Sequence, residues 1–244
     1  MVEQIISEKL SDRFEKQYHD LRQREERIYS NQQIARLPDI ESTHIHYREW
    51  MIRKISAAQL VSTLKKKNAR LNILEIGCGN GWLSATIAGI KNVSVTGIDI
   101  NRVELMQAVT VFEKKENLRF IYGDIRTSSL KQHAYDVIVF AACLQYFQSL
   151  PGIISQALGL LAASGEIHVI DTPFYSKKQG SLAAKRSRDY YASLGFMEMS
   201  DFYFHHGLED LSGFNYRVVY NPDRFYNRFK RKQQPFYRIL IKPS

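Results

Sequence analysis

The sequence predicts an α/β fold built on a doubly wound, mostly parallel sheet. Between residues 71 and 172, short apolar runs alternate with amphipathic stretches, the pattern of strands joined by crossover helices and covered on both faces. The first apolar run passes straight into a glycine-rich turn and then into a helix. Sheets of this kind bind ligands at the carboxyl ends of their strands, where strand order reverses.

The elements follow in order. Val2 to about Tyr29 reads as a helix, with apolar residues near helical spacing at Ile6, Leu10, Phe14, Tyr18 and Leu21. Pro38 breaks the chain. A second helix is predicted from about His46 to Lys67, with Trp50, Ile55, Leu60, Val61 and Leu64 as its buried stripe. Residues 1–68 are therefore expected to form a helical annex, and 69–244 the main domain. The main domain opens on the strand LNILEIG from Leu71, followed by a helix from Trp82 to Gly89. VSVTGIDI (93–100) is a strand, 101–115 a helix and LRFIYGDI (118–125) a strand. YDVIVFAA (135–142) is the fourth strand, and a helix starts near Pro151, where proline suits the first turn. GEIHVIDT (165–172) is the fifth strand. A helix over 181–194 should stop at Gly195. Phe202–His206, Tyr216–Tyr220 and Phe236–Ile241 are strand-like, rich in aromatic and β-branched residues.

Composition narrows the class. Hydrophobic residues are 44% and charged residues 24% of 244, ordinary globular values. No apolar run reaches the roughly 18 residues of a spanning helix. The charged N-terminus lacks a signal core, so a cytoplasmic location is expected, with Cys78 and Cys143 as reduced thiols. The net charge is +9, which invites an anionic partner. Residues 71–175 hold 7 basic and 9 acidic side chains, whereas residues 176–244 hold 13 basic and 6 acidic. The excess thus avoids the core of the fold. It concentrates in residues 224–232, where Arg224, Arg228, Lys230, Arg231 and Lys232 interleave with Phe225, Tyr226 and Phe229. That segment is either a contact for phosphate and stacked bases or a solvated face with its aromatics packed inward; the second reading is favoured.

The glycine turn is Glu75-Ile76-Gly77-Cys78-Gly79-Asn80-Gly81. Its third glycine falls one residue early for a dinucleotide fingerprint, and no Lys-Ser/Thr pair follows as in a P-loop. A carboxylate at Glu75 disfavours a pyrophosphate and favours a cationic or amine-bearing ligand. The turn resembles the first motif, (D/E)-x-G-x-G-x-G, of the class I S-adenosylmethionine-dependent methyltransferases, and the match is complete. Asp99 at the end of the second strand, Gly123-Asp124-Ile125 at the end of the third, and Asp136–Phe140 with Ala141-Ala142 in the fourth fall in the family's order. The likeness is firm over roughly 71–172. It implies a three-layer, Rossmann-like, mostly parallel seven-stranded sheet with an antiparallel C-terminal hairpin, and S-adenosylmethionine as cofactor. It also implies cofactor contacts at Glu75, Gly77, Cys78, Gly79, Asn80, Gly81, Asp99, Ile100, Asp124, Ile125, Ala141 and Ala142. Asp99 would accept from the ribose hydroxyls and Asp124 from the adenine amine. The alternative for Asp99 is a helix cap. Cys78 and Cys143 read as small packing residues in tight loops.

Methyl transfer requires an aligned acceptor and, for a hydroxyl, removal of a proton. No metal-ligand cluster is evident in the sequence, and neither cysteine lies in a C-x-x-C pair. No catalytic residue is assigned. Weak candidates are Tyr146, which follows the fourth strand with Gln145 and Phe147, Asp171 and Tyr175 after the fifth, and His205 and His206 in an aromatic patch. Counting by two from Asp171 sends His168 to the opposite face as a core histidine. The leading expectation is a methyltransferase for a small-molecule or saccharide-type acceptor, O- or N-directed, with the annex as a lid. The chain is similar to unassigned bacterial methyltransferases. The alternatives are an RNA methyltransferase using the basic segment, and a non-catalytic subunit that keeps the cofactor fold. Oligomeric state is open.

Overall fold

A computed structural model describes residues 3–4, 12–126, 130–230 and 234–243. Eight strands form one sheet: β1 (Glu3–Gln4), β2 (Leu71–Ile76), β3 (Val93–Asp99), β4 (Leu118–Tyr122), β5 (Tyr135–Ala141), β6 (Leu161–Thr172), β7 (Asn215–Tyr220) and β8 (Tyr237–Lys242). Their order is β1-β4-β3-β2-β5-β6-β8-β7. All pairings are parallel except β6 with β8 and β8 with β7. The seven expected strands are joined at the edge by β1, which was not expected. From β2 the chain winds outward through β3 and β4, then returns to add β5 and β6 on β2's other side. The carboxyl ends of β2 and β5 therefore diverge into a crevice.

The central strands read as unbroken apolar runs because helices cover both faces. On one face, α3 (Tyr47–Lys66) and α4 (Trp82–Ile87) bury Leu60, Leu64, Leu83 and Ile87 against Ile73, Val95 and Val137. Trp50 meets Trp82 edge-on at 5.3 Å and donates its indole N–H to the Tyr29 hydroxyl at 2.8 Å. On the other face, α6 (Leu150–Leu160) buries Ile153, Ile154 and Ala157 against Ile138, Phe140 and Ile167. Of the expected stripe of α3, Trp50, Leu60 and Leu64 belong to this core and Val61 packs against it, whereas Ile55 is only half-buried.

Three shorter helices are α1 (Asp12–Arg24), α2 (Asn31–Ile34) and α5 (Arg102–Phe112). The expected first helix is seen over its second half; Ile6 and Leu10 lie outside the described residues. A longer helix, α7 (Lys177–Leu194), begins at a Ser176–Gln179 capping box and stops at Gly195, whose φ of 86° is left-handed. Residues 202–206, expected as a strand, are not one. Met197–Phe202 coil as a 3-10 helix and the following backbone runs singly, Phe204 N–H donating to Gln145 O at 2.7 Å. The aromatic side chains there are spent on α1 and α7: Phe14 meets Phe202 at 5.3 Å and Tyr191 meets Tyr203 at 5.9 Å.

Thr172 pairs with Tyr237, and Tyr220 with Arg238, so the β7–β8 connection leaves the sheet at the crevice end. Its Phe225, Tyr226 and Phe229 are 76%, 64% and 91% exposed, which corrects the expectation that they pack inward. Arg231 and Lys232 of this segment lie outside the described residues.

Leu60 is fully buried between α3 and the sheet. Leu60→Ala should destabilise the protein by about 2–5 kcal/mol in urea unfolding, the ordinary cost of a core truncation. A loss below about 1 kcal/mol would show that α3 does not belong to the cooperative core.

Candidate active site

The loop after β2 is shaped by glycines. Gly77 has φ 70°, and a Cβ there would lie 2.6 Å from the Cys143 Cβ. Gly81 has φ 74° and a Cβ would lie 2.5 Å from the Phe120 ring. The first glycine thus lets the β2 and β5 loops touch, and the third lets α4 start against β4. Gly79 N–H donates to Asp99 Oδ2 at 2.7 Å, and Asn101 N–H to Asp99 Oδ1 at 2.8 Å. The cap of α5 is Asn101, whose side chain accepts from Glu104 N–H. Asp99 is therefore no helix cap; it laces the β2 loop to the end of β3. Burial raises its pKa, opposed by these backbone N–H groups.

Two cavities open beside this loop. The first, of about 360 Å³, is lined by Asp99, Ile100, Asp124 and Ile125 from the sheet and by Phe14 and Tyr18 of α1. The second, of about 510 Å³, is lined by Glu75, Cys78, Asn80, Ala141, Gln145 and Tyr175 among others. Tyr18, Gly77, Gly79, Ala142 and Tyr146 border both. Ala142 takes φ 53°, rare for a residue with a side chain. Such strain commonly sits at ligand sites.

Of the residues proposed for the cofactor, Gly81 alone lines neither cavity. Glu75 is buried and accepts from Ser84 Oγ at 2.5 Å. Burial, opposed by that hydrogen bond and reinforced by the Asp99 charge, pushes it up to about 8. Asp124 is buried and gripped by Arg126, whose Nε lies 3.0 and 2.9 Å from its two oxygens. Cys78 and Cys143 are free thiols pushed up by burial, and Cys143 donates to Ile76 O. They pack, as expected, rather than ionise.

The acceptor-side candidates separate. Tyr146, in the 3-10 turn Leu144–Tyr146, borders both cavities and accepts from Arg22 Nη2 at 2.6 Å. Tyr175 lines the second cavity. Asp171 lines neither. Its φ of 53° breaks the strand alternation and turns its carboxylate under α3, where Ser56 Oγ donates to it at 2.6 Å. His168 is buried as expected, bound to Glu166 at 2.8 Å, but not opposite Asp171. Lys67 at the end of α3 reaches the same Glu166 at 2.9 Å, so both groups face α3. His205 and His206 also line neither cavity. His205 is bonded to Ser187 Oγ at 3.0 Å, and burial lowers its pKa; His206 is bonded to Leu144 O at 3.1 Å.

The sequence reading missed the roof. Arg22 of α1 lies 4.6 Å over the Tyr18 ring and binds Glu25 at 2.7 Å as well as Tyr146. Arg27 bridges Glu25 and Glu49, and Arg53 binds Glu49 at 2.9 Å. Burial alone would raise Glu49; the Arg27 hydrogen bond and the two guanidinium charges bring it down to about 2. Glu104 faces the glycine loop, raised to about 7 by burial and the Asp99 charge. The aromatic stripe Phe14–Tyr18 was the one local hint. The partners come from segments far apart in the chain. Among the described residues no group of histidine, cysteine and carboxylate side chains is placed to hold a metal.

Residues 73–165 match the family model described as a methyltransferase domain. Over 98 residues the chain is 31% identical to an uncharacterized methyltransferase of Mycobacterium tuberculosis, covering 40% of this chain and 49% of that one. Over 121 residues it is 29% identical to a malonyl-[acyl-carrier protein] O-methyltransferase of Priestia megaterium, covering 48% and 43%. The chain thus spans about half the length of the curated relatives it matches. The crystal structure of magnesium protoporphyrin IX methyltransferase from Synechocystis, with bound SAH, superposes with a TM-score of 0.61 at 19% identity over 95% of this chain and 97% of that one. YcgJ from Bacillus subtilis gives 0.59 at 14% identity over 77% and 99%. Strand order, glycine loop and family match agree over one stretch: residues 73–165 match a methyltransferase domain.

Proposed function

We propose that this chain is an S-adenosylmethionine-dependent methyltransferase acting on a small-molecule acceptor at oxygen or nitrogen. The observation that carries the reading is the pair of cavities meeting at Gly77, Gly79, Ala142 and Tyr146. One suits a nucleoside: it has an apolar wall and the Asp99 carboxylate. Each Asp99 oxygen spends one lone pair on a backbone N–H and keeps another for a ribose hydroxyl. The adenine would lie among Ile100, Ile125, Phe14 and Phe202, and the methionine end along Gly77–Asn80. The Arg126 fork leaves Asp124 fewer lone pairs for an adenine amine.

S-adenosylmethionine, when bound, supplies a methyl group on a positively charged sulfur, which leaves with the bonding electron pair. The chain's own part is to shape and dry the space beside that methyl. Tyr146 stands at the junction, fixed by Arg22 from above. Phe14 and Tyr18 meet its ring edge-on at 6.0 and 5.7 Å, so α1 lies over the junction as a lid. A roofed cavity of about 510 Å³ fits a small molecule and lies within the usual range for such pockets. The relatives' printed substrates, malonyl-[acyl-carrier protein] and a porphyrin, differ in kind, so the acceptor must be argued from this cavity.

Calorimetry should show micromolar binding of S-adenosylhomocysteine. Asp99→Ala should weaken it by about tenfold or more, the worth of hydrogen bonds to a charged group. Gly79→Arg should abolish it, since φ is 51° and a Cβ already lies 3.1 Å from Glu104. No binding by the wild-type protein would sink the proposal. Glu75 gives a pH test in the cofactor-free protein. Its folded pKa of about 8 lies above the ordinary 4.5. The folded state therefore holds the extra proton, and stability falls as pH rises from about 4.5 through 8. Glu75→Gln should remove that part of the decline in melting temperature. Identical pH profiles for the two proteins would show that Glu75 is ionised when folded.

A further inference from the structure

The second cavity has four arginines on its walls, Arg22, Arg27, Arg53 and Arg186. The first three are ion-paired to Glu25 and Glu49 through contacts of 2.6–3.3 Å, which leaves that group one positive charge in excess. Arg186 projects from α7 beside Tyr175 and has no hydrogen-bond or ion-pair partner among the described residues. The remaining carboxyls on the wall, Glu75 and Glu104, sit on the glycine-loop side. Burial pushes them up to about 8 and about 7, so at neutral pH each carries only part of a negative charge.

Two further features face the same space. Gln145 is 9% exposed and donates from Nε2 to Ala142 O at 2.6 Å, which fixes its amide and aims Oε1 away from that carbonyl. Oε1 is buried and accepts from nothing. A buried acceptor left empty costs about 1–3 kcal/mol, so a donor on a ligand would be rewarded there. Tyr175, Tyr191 and Tyr203 also line the cavity, and none of their hydroxyls bonds to another described residue. Their rings form a continuous wall: Tyr203 lies 5.8 Å from Tyr146 and 5.9 Å from Tyr191, and His205 lies between Tyr203 and Tyr175 at 5.2 and 5.4 Å.

An aromatic wall suits a ring. Free phenols and an unfilled amide oxygen suit hydroxyl groups on it. Arg186 is a guanidinium without a partner, and its planar fork fits a carboxylate. We propose that the acceptor is a hydroxylated ring compound bearing a carboxylate, which is held by Arg186 while a ring hydroxyl donates to Gln145 Oε1. This rests on the methyltransferase reading above and names its substrate class.

The test uses the whole chain saturated with S-adenosylhomocysteine. The probes are 4-hydroxybenzoate, 3-hydroxybenzoate and glucuronate, each titrated by calorimetry beside its neutral primary amide. At least one acid should bind about tenfold more tightly than its amide, as expected for a charge-assisted hydrogen-bonded pair. Arg186→Met should reduce that preference below twofold, and Arg186→Lys should keep part of it. Arg186 is exposed, so the variant should fold, and an unchanged melting temperature checks this. In Gln145→Leu, 4-hydroxybenzoate should lose its advantage over benzoate while benzoate affinity stays the same. The proposal is overturned if no acid exceeds its amide, or if the preference survives Arg186→Met. Failure to bind S-adenosylhomocysteine would instead remove the methyltransferase reading, and this inference with it.

Discussion

Asp99 takes one backbone N–H from the glycine loop and one from the start of α5. Two loops that share no strand pairing at that point are thereby held by a single half-buried carboxylate. The arrangement works because the glycine loop can fold back sharply enough to bring Gly79 N–H to it. That requires φ of 70°, 51° and 74° at Gly77, Gly79 and Gly81, a cost that only glycine avoids. A Cβ at either end of the loop would strike Cys143 or Phe120. The close approach of β2, β4 and β5 loops, and both cavities between them, depends on this absence of side chains.

Around that loop the protein accumulates carboxylates with different fates. Glu49 is held ionised by two arginines, whereas the buried Glu75 and the half-buried Glu104 have no cation bonded to them and rise towards neutral pH. Removing a charge from water costs more than a single hydrogen bond returns. The site can therefore hold several acids close together because the deeper ones give up their charge. The arginines that line the second cavity come from α1, α3, α7 and the α1–α2 connection.

Much of the sheet was legible because each strand is a local apolar run and each crossover a local amphipathic one. The glycine loop and Asp99 were legible for the same reason: their geometry is decided within a few residues. Asp124 could have been read further, since Arg126 is only two residues away. Asp171 was misplaced because the period-2 rule assumes a regular strand, and φ turns positive at that residue. The segment 202–206 was misread because aromatic residues suit a strand and an aromatic cluster equally well. Which one they join depends on whether α1 and α7 are beside them.

The sequence by itself determined the class of fold and the shape of the glycine loop. Hydrophobic period and glycine placement act over short range, so they survive without a partner. Only the tertiary structure decided what faces the junction of the two cavities. Arg22 and Tyr146 are 124 residues apart, and Tyr190 reaches Glu25 across 165. Side chains that meet only after the sheet has wound and α1 has closed over it leave no periodic trace. That is why the glycine-loop side could be written from the chain, while Arg22, Arg186 and the joining of Tyr191 and Tyr203 to Tyr146 required the fold.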